Sequence, residues 1–136
     1  MKKIITFFAF SSFLLLLSCN FNSANINDVK VCTSVTNNQC SVDKPFFDPN
    51  TPKIFASCHL NNAPTDTQVE FAWFYLGQER IPIDAVTLNS GDNIGTVNMQ
   101  SSLSRPNNGW PLGDYEVVIT ILGTDKEPVV KAFWVE

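Results

Sequence analysis

The sequence predicts an all-β protein, an antiparallel sandwich of about seven or eight strands behind a cleaved leader. Three observations predict it. No window after residue 19 sustains an apolar period of the helical kind. The apolar runs are short, rich in β-branched and aromatic residues, and bounded by Pro, Gly, Asn and Asp. No amphipathic helix separates them, so the crossovers that a parallel sheet needs are missing. A length of 136 residues suits one such domain.

The leader comes first. Lys2 and Lys3 form a short positive segment, followed by 14 apolar-rich residues at 4–17 (IITFFAFSSFLLLL). A membrane-spanning helix needs roughly 20 residues, so this stretch fits a secretory core instead. Leu16-Leu17-Ser18-Cys19 follows. It resembles the lipobox of bacterial lipoproteins, with a small residue before the cysteine and a leucine three before it. The resemblance implies cleavage after residue 18, lipid on Cys19, and a membrane as the partner of that lipid. Asn20 in place of Asp resembles the outer-membrane default of enteric-type bacteria. The competing readings are an ordinary signal peptide with a chance cysteine and an uncleaved anchor helix. Removal of Lys2 and Lys3 takes the formal charge from −4 to −6. Residues 20–28 (NFNSANIND) lack apolar periodicity and are expected to form a flexible tether.

The strands follow in order. Candidates lie at residues 29–35, 53–60 (KIFASCHL) and 68–76 (QVEFAWFYL). Short stretches lie at 80–83, 85–88 and 95–100. Residues 113–122 (GDYEVVITIL) alternate most clearly, and 129–135 close the chain. The domain is therefore expected at 29–136.

Three features resemble the immunoglobulin-like or fibronectin-like sandwich. Cys58 lies at the place of the family's first core cysteine, and Trp73 lies 15 positions later, where the family buries a tryptophan. The segment Gly113-Asp114-Tyr115-Glu116-Val117 looks like the start of the family's strand F. There the resemblance implies a tyrosine corner, with the Tyr115 hydroxyl bonded to upstream backbone. Val117 stands where the family's second cysteine would fall, so the inter-sheet disulfide is missing. Asn108-Gly109-Trp110-Pro111-Leu112, with Phe133-Trp134-Val135, looks like the closing half of bacterial surface modules of this type. Trp110 is expected to plug one end of the sandwich, the alternative being an exposed loop aromatic that binds a ligand. Such a fold says little about function.

With Cys19 lipidated, Cys32, Cys40 and Cys58 remain, and one pair can form within the chain. Cys58 shares a strand face with Ile54, Ala56 and Leu60, which places it in the core. Cys32 is therefore paired with Cys40, a small loop worth roughly 2.5 kcal/mol. The competing pair is Cys32 with Cys58.

Residues for chemistry are sparse. His59 is the single histidine, and strand alternation points it away from Cys58, so the two make a poor nucleophile pair. The aspartates are scattered without calcium-loop spacing, and no phosphate loop or Gly-x-Ser-x-Gly elbow occurs. No catalytic residue, cofactor or metal site is expected. Lys+Arg 9 against Asp+Glu 13, with no basic run beyond Lys2-Lys3, also leaves nucleic acid outside the expected partners.

Strand parity supplies the functional candidate. If Trp73 and Tyr115 point inward, Ala72, Phe74, Leu76, Val118, Thr120 and Leu122 point outward. With Phe133 and Val135 inward, Val130, Ala132 and Trp134 lie outside. In an immunoglobulin-like order these strands are neighbours. Phe74, Leu76, Val118, Leu122, Val130 and Trp134 would then form an apolar outer face. Such a face meets a partner, here an envelope protein or a second copy, or is covered by a segment such as Phe46-Phe47. The expectation is a noncatalytic, membrane-anchored lipoprotein of the cell envelope. A protease inhibitor is the alternative. Asn62-Ala63-Pro64-Thr65-Asp66 ahead of Phe71-Ala72-Trp73 is similar to a loop of chagasin-type cysteine protease inhibitors, and Arg105-Pro106 with Trp110 is similar to another. Extra residues intervene, and Ser90-Gly91-Asp92 lacks the paired glycines of the family's remaining loop.

Overall fold

The computed structural model describes residues 23–136. The lipobox and Cys19 lie outside the described residues. Ten strands follow in chain order: β1 (Asn25–Cys32), β2 (Val35–Thr36), β3 (Gln39–Cys40), β4 (Phe46–Phe47), β5 (Lys53–Asn61), β6 (Gln68–Leu76), β7 (Arg80–Asn89), β8 (Thr96–Ser104), β9 (Gly113–Ile121) and β10 (Val129–Val135). They form a three-stranded sheet in the order β1-β5-β8, a five-stranded sheet in the order β4-β10-β9-β6-β7, and a hairpin, β2-β3. The two larger sheets pack as a sandwich, so the all-β fold holds.

The strongest alternations became the central strands. In β6, Val69, Phe71 and Trp73 are buried; in β9, Tyr115, Val117, Ile119 and Ile121 are. Ile54, Ala56, Cys58 and Leu60 of β5 face them from the other sheet. Each Val, Leu, Ile or Phe among them contributes about 1.5–3 kcal/mol when fully buried. The aromatic rings form a connected column. Phe133 meets Tyr115 in a stack at 5.2 Å, and Trp73 and Phe47 edge-on at 5.9 and 5.7 Å. Trp110 meets Tyr115 edge-on at 6.3 Å. The Tyr115 hydroxyl donates to the Pro111 carbonyl at 2.6 Å, as expected of the corner. Trp110 is buried and its Nε1 donates to the Thr51 carbonyl at 2.7 Å, so it plugs the end of the sandwich. Gly109 makes that approach possible: its φ is +80°, and a Cβ there would meet the Pro49 carbonyl oxygen at 3.0 Å.

Four features depart from the sequence expectation. Residues 25–28 are not tether: β1 begins at Asn25, Ala24 is fully buried, and Ile26 packs against the core. Polar Asn25 and Asn27 hide this from hydropathy because their amide oxygens accept from Asn61 on the neighbouring strand. Asn61 Nδ2 donates to Asn25 Oδ1 at 3.0 Å and to Asn27 Oδ1 at 2.9 Å. The first candidate strand ends early, and the chain turns back as β2-β3, with Asn37 and Asn38 at φ 52° and 60°. Paired left-handed residues are what a two-residue hairpin loop requires. The stretches at 80–83 and 85–88 are one strand, β7, with a bulge opposite Trp73 and Phe74. Pro82 is tolerated because β7 is an edge strand. Finally, β4 pairs with β10 in parallel. The two lie near opposite ends of the domain's chain, so the intervening strands serve as the crossover.

Cys32 and Cys40 form the disulfide, with Cα atoms 5.8 Å apart, and Cys58 is free and buried. The competing pair with Cys58 is excluded because Cys58 points from β5 into the core, whereas Cys32 stands across from Phe55 on the other face of the sheet. The bond holds the hairpin against β5, where the Cys40 N–H donates to Ser57 Oγ at 2.9 Å. Asp43 closes the adjoining edge: Oδ1 accepts from the Val31 N–H at 3.0 Å, and Oδ2 pairs with Lys131 of β10.

Replacing Cys32→Ser together with Cys40→Ser should cost about 2.5 kcal/mol in denaturant unfolding, from loop closure alone. Burial pushes the Cys58 thiol from 9.0 up to about 12, and burial followed by the neighbouring Tyr75 pushes the Tyr115 hydroxyl from 10.0 up to about 12. Both groups stay protonated longer in the folded state, so the unfolded chain releases their protons first. Stability should be flat below pH 9 and fall as pH rises through 12. Iodoacetamide should modify Cys58 only after unfolding. Rapid labelling of the native protein would contradict its core position.

Candidate binding surface

The outward parity of β6, β9 and β10 builds the surface row by row. Across one row, Ala85, Ala72, Val118 and Val130 lie side by side. In the next, Pro82, Phe74, Glu116 and Ala132 do so. In the third, Arg80, Leu76, Asp114 and Trp134 meet, with Phe46 of β4 at the end. Val130 is 56% exposed and Trp134 38%. Phe74, Leu76, Val118 and Leu122 are half-buried. Leu122 lies just beyond β9, where its N–H donates to the Gln68 carbonyl at 2.9 Å. The structure thus brings five of the six expected residues onto one sheet surface, with Leu122 at its margin.

The chain covers this surface in part. The Phe46 ring stacks on Trp134 at 5.8 Å, while Phe47 turns into the core. The Arg80 guanidinium sits 3.7 Å from the centroid of the Phe74 ring, a cation–π contact, and its Nε donates to Glu116 Oε1 at 2.7 Å. Neither Phe74 nor Trp134 is deeply buried. The face is less apolar than the candidate residues alone imply, because Glu116 and Asp114 stand on it. Both are legible in the sequence: they alternate with inward Tyr115 and Val117. Arg80 was not legible, because the bulge in β7 displaces simple parity there.

The remaining candidates fall elsewhere. His59 sits on the outer side of the three-stranded sheet, opposite in direction to Cys58. It is half-buried rather than fully solvent-facing, since the hairpin folds over it: Gln39 Nε2 donates to His59 Nε2, and Asp28 Oδ2 lies 3.5 Å away. The inhibitor-like loops do not converge. Residues 62–66 and 90–92 share one end, where the Asp66 N–H donates to the Gly91 carbonyl at 2.8 Å. Residues 105–110 lie at the other end, where the Trp110 N–H donates to the Pro49 carbonyl at 2.9 Å. One strand, β8, separates the second loop from the third and carries the chain to the opposite end. Trp110 is consumed as the plug. The three segments therefore do not form one loop cluster.

Among the described residues, no group of three His, Cys, Asp or Glu could hold a metal ion, and no helix is long and apolar enough to cross a membrane. No protein-family model matches the chain, and no curated protein sequence matches it.

Arg80→Ala should uncover the Phe74 ring. Because the Arg80–Glu116 pair is exposed, the stability change should stay below about 1 kcal/mol. Binding of a hydrophobic dye should rise, and an unchanged dye signal would place the cover of Phe74 elsewhere.

Proposed function

We propose that this protein is a lipid-anchored, noncatalytic module of the bacterial cell envelope, held at the outer membrane through Cys19. Its sandwich is of the immunoglobulin-like type and binds a protein partner through the outer face of β6, β9 and β10. The lipobox resemblance of Leu16-Leu17-Ser18-Cys19 supports the anchor, and two or three acyl chains would hold it firmly at about 0.8 kcal/mol per buried CH2. The strand orders β1-β5-β8 and β4-β10-β9-β6-β7 support the fold type, together with buried Trp73 and the Tyr115 corner.

One observation carries the binding reading. Val130 and Trp134 of β10 stay exposed on a sheet face whose neighbours Phe74, Leu76 and Val118 are only half-covered. A solvent-facing sheet surface is ordinarily polar, and contiguous apolar surface marks an interface. Glu116 and Asp114 add fixed charge, which suits a selective partner better than indiscriminate adhesion.

Two measurements test this. Incorporation of a tagged fatty acid and membrane retention should both be lost in Cys19→Ala. Envelope cross-linking followed by purification should recover a defined partner with the wild type. Val130→Asp with Trp134→Asp should fold normally and lose that partner by at least about tenfold, or 1.4 kcal/mol. Retention of the partner by the folded double variant would refute the face.

A further inference from the structure

The two sheets are unequal, three strands facing five. β8 lies opposite β6, where Trp73 Nε1 donates to Ser101 Oγ at 3.2 Å. Beyond β6 the larger sheet continues as β7, and the smaller one stops. Val86 stands directly across from Phe71 and Ile81 across from Tyr75, so both point to the core side of the sheet. Phe71 is fully buried, yet Val86 is 37% exposed and Ile81 49%. The core side of β7 has no strand beneath it.

The edge that would supply such a strand is open. β8 pairs with β5 alone, in a register unbroken from Ser104 to Thr96. Bonds at the two ends settle which backbone groups are used. The Arg105 N–H donates to the Pro52 carbonyl at 2.9 Å, and the Asn62 N–H donates to the Gly95 carbonyl at 3.1 Å. By antiparallel alternation, the odd-numbered residues of β8 bond to β5. Asn98, Gln100 and Ser102 therefore direct their backbone N–H and C=O groups to the open side. A groove of about 350 Å3 lies at the first half of that edge, lined by Leu88, Asn89, Asn38, Asn93, Asn98 and Gln100. The Gln100 Oε1 atom is buried without a hydrogen-bond partner. A buried orphan acceptor costs about 1–3 kcal/mol, so this atom calls for a donor.

We propose that the groove accepts one extended polypeptide segment of a partner protein, added to β8 as the fourth strand of the smaller sheet. Strands lie about 4.8 Å apart within a sheet and sheets about 10 Å apart, which puts the added strand beneath β7. Its backbone bonds to Asn98, Gln100 and Ser102. Of the side chains that lie under β7, apolar ones cover Val86 and Ile81, and a polar or basic one between them meets Asp84, which stands across from inward Trp73 on the same side. The others meet the amides of Asn38, Asn98 and Gln100, and one supplies the donor for Gln100 Oε1. A sugar could use the amides but would leave Val86 and Ile81 bare. The connection 90–95 is too short to fold back as a strand itself. β7 is the poorer acceptor, because Pro82, the bulge and the Asp84 carboxylate protect its edge; β8 carries no proline, charge or bulge. This site is separate from the outer face of β6, β9 and β10 and does not depend on it.

The test uses displayed random peptides of about twelve residues, selected on the full, disulfide-bonded chain. Selected peptides should slow hydrogen exchange at the Asn98, Gln100 and Ser102 amides by about tenfold or more, equivalent to 1.4 kcal/mol. Gln100→Pro removes one edge-facing N–H and no bond to β5, and should weaken those peptides by about tenfold. Gln100→Ala keeps the backbone and should weaken them less. If Gln100→Pro fails to fold, Ser102→Pro replaces it, and exchange on the wild type decides independently. The proposal falls if no peptide is enriched, if protection appears at other amides, or if the folded proline variant binds equally well. It falls also if the three amides are protected without peptide in a manner lost on dilution, which would make the occupant a second copy.

Discussion

The aromatic column through Trp110, Tyr115, Phe133 and Trp73 governs the rest of the molecule. Tyr115 is its pivot: one ring face stacks on Phe133, the edge meets Trp110, and the hydroxyl is tied to the Pro111 carbonyl. Ring pairs of this kind contribute about 0.5–1.5 kcal/mol each beyond the area they bury. Their greater effect is on parity. A strand can slip by one residue only by turning every side chain to the other face. With Tyr115, Phe133 and Trp73 locked inward, β9, β10 and β6 have a single register. That register decides what the outer face presents.

The two outer faces then diverge for different reasons. On the five-stranded sheet, parity leaves Val118, Val130 and Trp134 outside with Glu116 and Asp114 among them, and Arg80 and Phe46 shield parts of it. On the three-stranded sheet the outward residues are mostly polar, with Phe55 beneath the Lys53 ammonium the aromatic exception. Asn61 bonds Asn25 and Asn27, and Thr96 Oγ1 donates to Asn61 Oδ1 at 2.8 Å. The disulfide-held hairpin covers the next part of that sheet, where Gln39 reaches both His59 and Asn98. One face is therefore apolar and partly open, the other polar and partly roofed.

The unequal strand count has an energetic logic as well. A strand edge in water keeps its backbone groups solvated, but a buried acceptor such as Gln100 Oε1 does not have that recourse. β7 carries the devices that keep an edge from pairing, whereas β8 is guarded only by the overhang of β7 and the tip of the hairpin. The fold thus separates an edge protected by its own sequence from one left open and only flanked by its neighbours.

Much of this was written in local sequence. Alternation in residues 68–76 and 113–122 placed β6 and β9, and Gly113-Asp114-Tyr115 placed the corner. The buried parity of Cys58 left Cys32 and Cys40 to pair. These features depend on period-2 patterning and short-range spacing, which a chain carries whatever its fold. Tertiary structure alone decided what depends on distant partners. Asn25 and Asn27 became strand residues because Asn61 receives them, and Phe46-Phe47 became a parallel edge because β10 lies beside it. Arg80 and Glu116 met because a bulge shifted β7 against β6. The missing fourth strand beneath β7 is likewise a property of how two sheets align, and no single segment encodes it. The sequence by itself determined which way each central side chain points. Only packing decided which of the outward ones remain uncovered, since cover comes from residues far along the chain.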